Sequence, residues 1–153
     1  MSTPKDIIQE IKSVLELDST LKGYIQKFYL GMREGIPQQD FPVIMIEPAS
    51  NSEAMLMTDV IENTLRVTII AYTRAYDLAV QLEGDTNYKG ITDLELDIKK
   101  ALDAKWPTLN SKALMFNYTR SEFAIAENPT DFPVRGVFID VDIRFRTTLT
   151  TRT

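Results

Sequence analysis

From residue 137 every second position is apolar: Val137, Ile139, Val141, Ile143 and Phe145 alternate with Phe138, Asp140, Asp142, Arg144 and Arg146. Successive side chains of a β-strand point to opposite faces, so residues 137–149 are expected to form a long strand with one branched and aromatic face and one mostly charged face. Burying five such side chains is worth roughly 1.5–3 kcal/mol each before conformational entropy is subtracted. That makes this strand the spine of the expected sheet. A second alternation sets Leu65, Val67, Ile69 and Ala71 against Arg66, Thr68, Ile70 and Tyr72. A third covers residues 112–126, where Leu114, Phe116 and Tyr118 alternate and Phe123 and Ile125 continue after an expected bend. The short run Phe41-Pro42-Val43-Ile44-Met45-Ile46, closed by Glu47-Pro48, suits a strand covered on both faces.

Two stretches carry the three-and-four spacing of a helix. Ile7, Ile8, Ile11, Val14 and Leu15 form one stripe behind Thr3-Pro4-Lys5-Asp6. There a threonine can cap the first turn, proline suits the first helical position, and an acid favours the positive end of the helix dipole. Asp18-Ser19-Thr20 is expected to end that helix and cap a shorter one beginning near Leu21, with Tyr24, Ile25, Phe28 and Tyr29 continuing the apolar theme until Gly31, Gly35 and Pro37 break it. Ile91, Leu94, Ile98, Ala101 and Leu102 line a second long helix, which Trp106-Pro107 should end. Residues 74–89 show no clear period beyond a helical turn at Leu78, Ala79 and Leu82.

Residues 49–61 interrupt the strands with polar, turn-like sequence around Met55-Leu56-Met57. Two readings fit: a hairpin arm folding back on the body, or an adhesive loop whose flexible methionines adapt to a partner. The expected architecture is a single α+β domain over residues 1–153. Its mostly antiparallel curved sheet has about four to five strands, flanked on one face by an N-terminal helix and a crossing helix.

Composition removes more functions than any motif suggests. The chain has neither histidine nor cysteine, so disulfides, thiolate nucleophiles, Ser-His-Asp catalysis and His- or Cys-ligated metals are excluded. A net charge of −5 with no basic run longer than Lys99-Lys100 argues against a surface that grips phosphates. The opening MSTPKDIIQE lacks an apolar core flanked by basic residues, and no stretch approaches the ~20 apolar residues that span a bilayer. The expectation is a cytosolic chain, or a part of a particle assembled there, with no membrane partner.

Asp140 and Asp142 share a strand face about 6.8 Å apart, a separation that suits a pair of hydrolytic carboxylates. Arg144 and Arg146 continue the same row, which favours a charge-balanced surface over catalysis. Asp93, Glu95 and Asp97 occupy helical positions that point to different sides, unlike a calcium loop. Gly31, Gly35 and Gly90 are isolated, with no phosphate loop around them. No catalytic, cofactor or metal residue is expected. The row Phe138, Asp140, Asp142, Arg144 and Arg146 reads instead as a subunit contact: adjacent negative and positive blocks that a neighbouring copy could meet in complementary register, head to tail.

The layout resembles the tail-terminator (tail-completion) proteins of tailed bacteriophages. The likeness lies in the order and character of the elements: the helix over residues 4–17, the Gly31-to-Gly35 approach into Phe41-Pro42-Val43-Ile44-Met45-Ile46, the strand over 65–72, the helix over 91–104, and the closing strand ending Arg144-Phe145-Arg146-Thr147-Thr148-Leu149. The resemblance implies a virion structural protein without substrate or cofactor. It implies a ring, usually a homohexamer, at the head-proximal end of the tail. Such a ring halts tail-tube polymerisation and offers a surface for head attachment, with the genome passing through its lumen. Its partners would be its own copies, the tail tube protein and a neck or head-completion protein, with Met55, Leu56 and Met57 contacting tube or neck. An acidic chain suits a conduit that repels DNA. A head-completion or connector protein is the nearest alternative, and a small ligand-binding or metabolic enzyme domain using the Asp140 and Asp142 face a more distant one.

Overall fold

The computed structural model describes residues 2–73, 78–127 and 133–148. In chain order the elements are α1 (Pro4–Leu17), α2 (Ser19–Lys22), β1 (Lys27–Leu30), β2 (Val43–Met55), β3 (Val60–Tyr72), α3 (Leu78–Glu83), α4 (Ile91–Asp103), β4 (Met115–Glu127) and β5 (Pro133–Thr148). Residues 74–77 of the segment without clear period, and Leu149 of the predicted closing strand, lie outside the described residues.

Local chemistry sets the helix boundaries. The Thr3 hydroxyl accepts the Asp6 backbone N–H at 3.2 Å, and the Asp6 carboxylate accepts the Thr3 N–H at 2.9 Å. This reciprocal cap satisfies two donors that the first turn of α1 cannot use internally. The same hydrogen bonds hold the Asp6 carboxyl below its ordinary pKa. Asp18 accepts the Leu21 N–H at 3.0 Å and opens α2, while Asp93 accepts the Gly90 N–H at 3.1 Å ahead of α4. That helix ends at Asp103, before Trp106-Pro107 is reached.

The second helical stretch is shorter than its apolar residues suggest. It stops at Lys22, and Lys27–Leu30 forms an edge strand parallel to β2, pairing Lys27 with Val43 through to Leu30 with Ile46. Phe28 and Tyr29 therefore belong to opposite faces of a strand: Phe28 packs with the helices and Tyr29 on the far side. Backbone pairing along the exposed edge of β2 outweighs the weak helical preference of aromatic residues here. Gly31 then turns the chain at φ +82, a left-handed conformation that glycine adopts without strain.

The five strands make one sheet in the order β1-β2-β3-β5-β4, antiparallel except for the β1–β2 pair. Helices α1, α2 and α4 cover one face. Their apolar stripes meet Ile44, Ile46, Leu65, Val67, Ile69, Phe116, Val137, Ile139, Val141, Ile143 and Phe145 in the main core. The predicted five-residue row of the closing strand is thus entirely buried, each member at most 2% exposed.

The other face is divided. At one end residues 31–42 fold over it, making a small second core of Ile36, Phe41, Val43, Met45 and Ile70. Phe41, Tyr72 and Phe138 stack edge to face across this end, with successive centroids 6.3 Å apart. Gly136 lies beneath the Tyr72 ring, and a Cβ at that position would stand 2.7 Å from it. The rest of the face has no covering layer among the described residues.

Beyond Ile46 the β2–β3 hairpin continues past the end of β1, with β5 still paired to β3 as far as Val60 and Thr148. A bulge between Pro48 and Ser50 resets the register, so Glu47-Pro48 bends the strand without closing it. Residues 48–59 are exposed throughout. The segment is a hairpin, one of the two expected forms; its β3 half lies inside the sheet between β2 and β5, and its exposed β2 half and turn form an arm along the sheet edge. At its base the nearly buried Asn63 amide donates to the Thr147 hydroxyl at 2.9 Å and its carbonyl accepts from the Asn51 amide at 3.1 Å. These bonds fasten the arm to β5.

Candidate assembly surfaces

The uncovered sheet face carries the predicted contact row, because Asp140, Asp142, Arg144 and Arg146 of β5 all point away from the helices. Cross-strand register places Asp142 opposite Arg66 and Asn117, Asp140 opposite Thr68 and Arg120, and Arg146 opposite Glu62. Arg66 donates to both Asp142 oxygens, at 2.8 and 3.1 Å. That two-pronged pair fixes the guanidinium plane and raises the Arg66 pKa above its ordinary value. Asp140 accepts from the Thr68 hydroxyl at 2.7 Å, with the Arg120 guanidinium 3.8 Å away. Arg146 lies 4.0 Å from Glu62. The two β5 carboxylates are thus 20–24% exposed and occupied by their own chain.

This arrangement sharpens the predicted row. Its blocks of charge are largely neutralised across the sheet, and Phe138 is drawn into the second core beside Tyr72. Exposed Arg144 has no ion pair among the described residues. The partners Glu62, Arg66 and Thr68 occupy alternate positions of β3, and the alternation that begins at Leu65, extended backwards along the chain, already sets all three on one face.

The three acids of α4 are separated as helical geometry requires. Asp93 caps Gly90, Glu95 pairs with Lys99, and Asp97 accepts the Tyr24 hydroxyl at 2.7 Å with Lys89 3.9 Å away. No cluster of three acidic ligands able to hold a metal occurs among the described residues. A concavity of about 340 Å³ lies beside Tyr24, Pro42, Asp85, Tyr88 and Lys89. Burial and the Asp97 contact push the Tyr24 phenol far above its ordinary pKa, so it stays protonated at neutral pH and supplies no base. Tyr118, half-buried and donating to Asp103 at 2.9 Å, is raised in the same way.

The arm is the other candidate surface. Met55, Leu56 and Met57 are 59%, 47% and 68% exposed at its tip. Between residues 47 and 62 the chain carries Glu47, Glu53, Asp59 and Glu62 and no basic residue. An apolar tip on an acidic stem suits a protein partner with a hydrophobic pocket and a basic rim.

A surface that the sequence pattern did not single out is the outer edge of the sheet at β4. Phe123 and Ile125 continue the apolar alternation and point to the helix side, yet they are 48% and 54% exposed. Periodicity reports which face a side chain takes; it does not report where the covering helices stop. No family model matches this chain, and no curated protein matches it.

Proposed function

We propose that this chain is a structural virion protein that resembles phage tail terminators, assembling as a homohexameric ring on the head-proximal end of a tail tube. The ring stops tube polymerisation and presents the surface to which the head, through a neck or head-completion protein, attaches. The observation that carries this reading is the arm: the outer strand and turn of the β2–β3 hairpin, which expose all of residues 48–59 and carry Met55, Leu56 and Met57 at the tip. Exposed apolar side chains on a free sheet edge and turn are a contact surface awaiting a partner, here the tube or the neck. The α+β sheet with helices on one face agrees with the element order that the resemblance implies. An overall charge of −5 suits a lumen through which DNA slides without being held.

The test is electron microscopy of tails assembled without this protein. A terminator's absence gives tubes of uncontrolled length. Tails of normal length that fail to join heads would move the protein to the neck, and tails of normal length that join heads would remove it from both roles.

A further inference from the structure

The outermost strands of the sheet are β1 and β4, and the register sets their outer edges at the same height. Rows of opposed residues run straight across the five strands: Phe28, Ile44, Ala71, Val137 and Phe123 form one, and Leu30, Ile46, Ile69, Ile139 and Ser121 form another two positions along. Phe28 and Phe123 are therefore the two ends of one row, and Leu30 and Ser121 the two ends of the other.

The backbone groups on these edges also match. On β5, Arg135 turns its carbonyl toward β3, where it accepts the Thr73 N–H at 3.0 Å. Alternation then turns Gly136, Phe138 and Asp140 toward β4, opposite Ala124, Glu122 and Arg120. The N–H and C=O groups of Ser121, Phe123 and Ile125 are left on the outer edge, and no backbone partner meets them among the described residues. Next to β1, the Gly31 N–H donates to the Ile46 carbonyl at 2.7 Å. By the same alternation Lys27 and Tyr29 address β2, while Phe28 and Leu30 turn their N–H and C=O groups outward, again without a backbone partner among the described residues.

Strands β1, β2 and β5 run one way, β3 and β4 the other. A second copy set beside the first in the same orientation thus brings its β1 to β4 antiparallel. Continuing each row into that copy sets Phe28 opposite Phe123 and Leu30 opposite Ser121. Both residues of each pair face outward, which is the condition for exchanging two hydrogen bonds. The side chains agree as well. Phe28 packs against the main core, Leu30 lines a groove with Ile8 and Ile46, and Ser121 and Phe123 oppose Ile139 and Val137 of that core. Helix side continues into helix side, and a slip of one residue would break both matches.

We infer that the outer edge of β4 is the joint between copies, occupied by the outer edge of β1 of a second copy of this chain, with Phe28 against Phe123 and Leu30 against Ser121. This deepens the ring reading and rests on it. Phe123 and Ile125 face the helix side yet are 48% and 54% exposed, and β1 arrives with α1 packed on it, supplying a helix layer where that of β4 stops. Charge favours this occupant too. Residues 19–33 carry Lys22, Lys27 and Arg33 and no acid, whereas residues 121–126 carry Glu122 and no basic residue. On the face away from the helices Lys27 would oppose Ala124 and stand diagonal to Glu122, within reach of a long side chain. Tyr29, with the Arg33 guanidinium 5.2 Å from its ring, would oppose Glu122 directly. Two β4 edges or two β1 edges would instead bring like charges to the joint. The contact is head-to-tail and repeats without a step along the strands, so it closes into a ring when the rotation permits.

The chain has no cysteine, so thiols can be placed without background. Lys27 and Ala124 end the row through Val43, Tyr72 and Gly136. They lie four strand spacings apart within one chain, about 19 Å, too far for a disulfide, but directly opposed across the joint. In the full-length double variant Lys27→Cys/Ala124→Cys, oxidation of concentrated protein is expected to give a ladder of disulfide-linked multiples. An equimolar mixture of the two single variants is expected to stop at a dimer, and neither single variant alone is expected to cross-link. Lys27→Glu or Glu122→Lys alone is expected to lower the native mass while circular dichroism stays that of the folded chain, and the two together to restore it. Disulfide dimers from either single variant alone would overturn the inference, since like edges would then be meeting. A full-mass ring without disulfides in the double variant would also overturn it and leave the ring standing. A monomer without disulfides at every concentration would overturn both.

Discussion

Strand β2 begins and ends with the same kind of residue in opposite surroundings. Val43, Ile44, Met45 and Ile46 are each 0% exposed, held between the helix layer and the second core. Met55, the last residue of the same strand, and its neighbours Leu56 and Met57 stand about half to two-thirds in solvent. The first group lowers the free energy of folding by leaving water. The second gains nothing from folding, and its apolar area remains to be buried by something else. Body and arm should therefore respond to substitution in opposite ways, the body in stability and the arm in assembly.

The largest expected effect on stability is in the body. Ile139→Ala, at a fully buried site in the middle of the sheet, should cost about 2–5 kcal/mol in a denaturant titration through lost transfer energy and a residual cavity. Gly136→Ala comes next. Its methyl group would meet a Tyr72 ring wedged between Phe41 and Phe138, and overpacking of this kind costs about 1–3 kcal/mol, read as a lower melting temperature.

Alkaline pH should weaken the body as well. Tyr24 and Tyr118 have folded pKa values raised above the ordinary 10.0 by burial and by their bonds to Asp97 and Asp103. Below pH 10 both are protonated folded or unfolded, so their full contribution is present. As pH rises past 10 toward the folded values, the unfolded state loses protons that the folded state keeps, and stability falls. Unfolding free energy followed against pH should decline above pH 10, and the double variant Tyr24→Phe/Tyr118→Phe should decline less.

The body also divides into what was legible in the sequence and what was not. The buried row of β5, the α1 stripe with its Thr3 cap and the α4 stripe were all readable, because each is a period of one residue type and burial follows the period. Strand β1 was not. Tyr24, Ile25, Phe28 and Tyr29 are as compatible with a helix as with a strand, and the deciding partner, the β2 edge, lies some sixteen positions further on. The charged row of β5 was readable as a face, but its pairing with Glu62, Arg66 and Arg120 depends on the β3–β5–β4 register, which no local pattern encodes. Exposure of Phe123 and Ile125 was hidden for a similar reason.

In the arm the expected effects on folding are small. Met55→Ser, Leu56→Ser and Met57→Ser should each stay within about 0.5 kcal/mol of the parent, while retention on purified tail tubes or neck protein in a pull-down is lost. A large drop in stability would mean that the tip packs on its own body, and the division between the two halves of β2 would fail. The smallest effect on folding is expected on the uncovered face. The double reversal Arg144→Glu/Arg146→Glu disturbs one loose pair with Glu62 at 4.0 Å, worth about 0–1 kcal/mol, yet it should reduce the native mass of the assembly. Unchanged oligomer mass would remove this row from the contact between copies.

The central claim is that the working form is a ring of identical chains. Light scattering on the intact protein during size-exclusion chromatography, from dilute to concentrated solution, addresses it most directly. A species of hexameric mass is the predicted result. A chain that stays monomeric at every concentration and saturably binds a small molecule would contradict it.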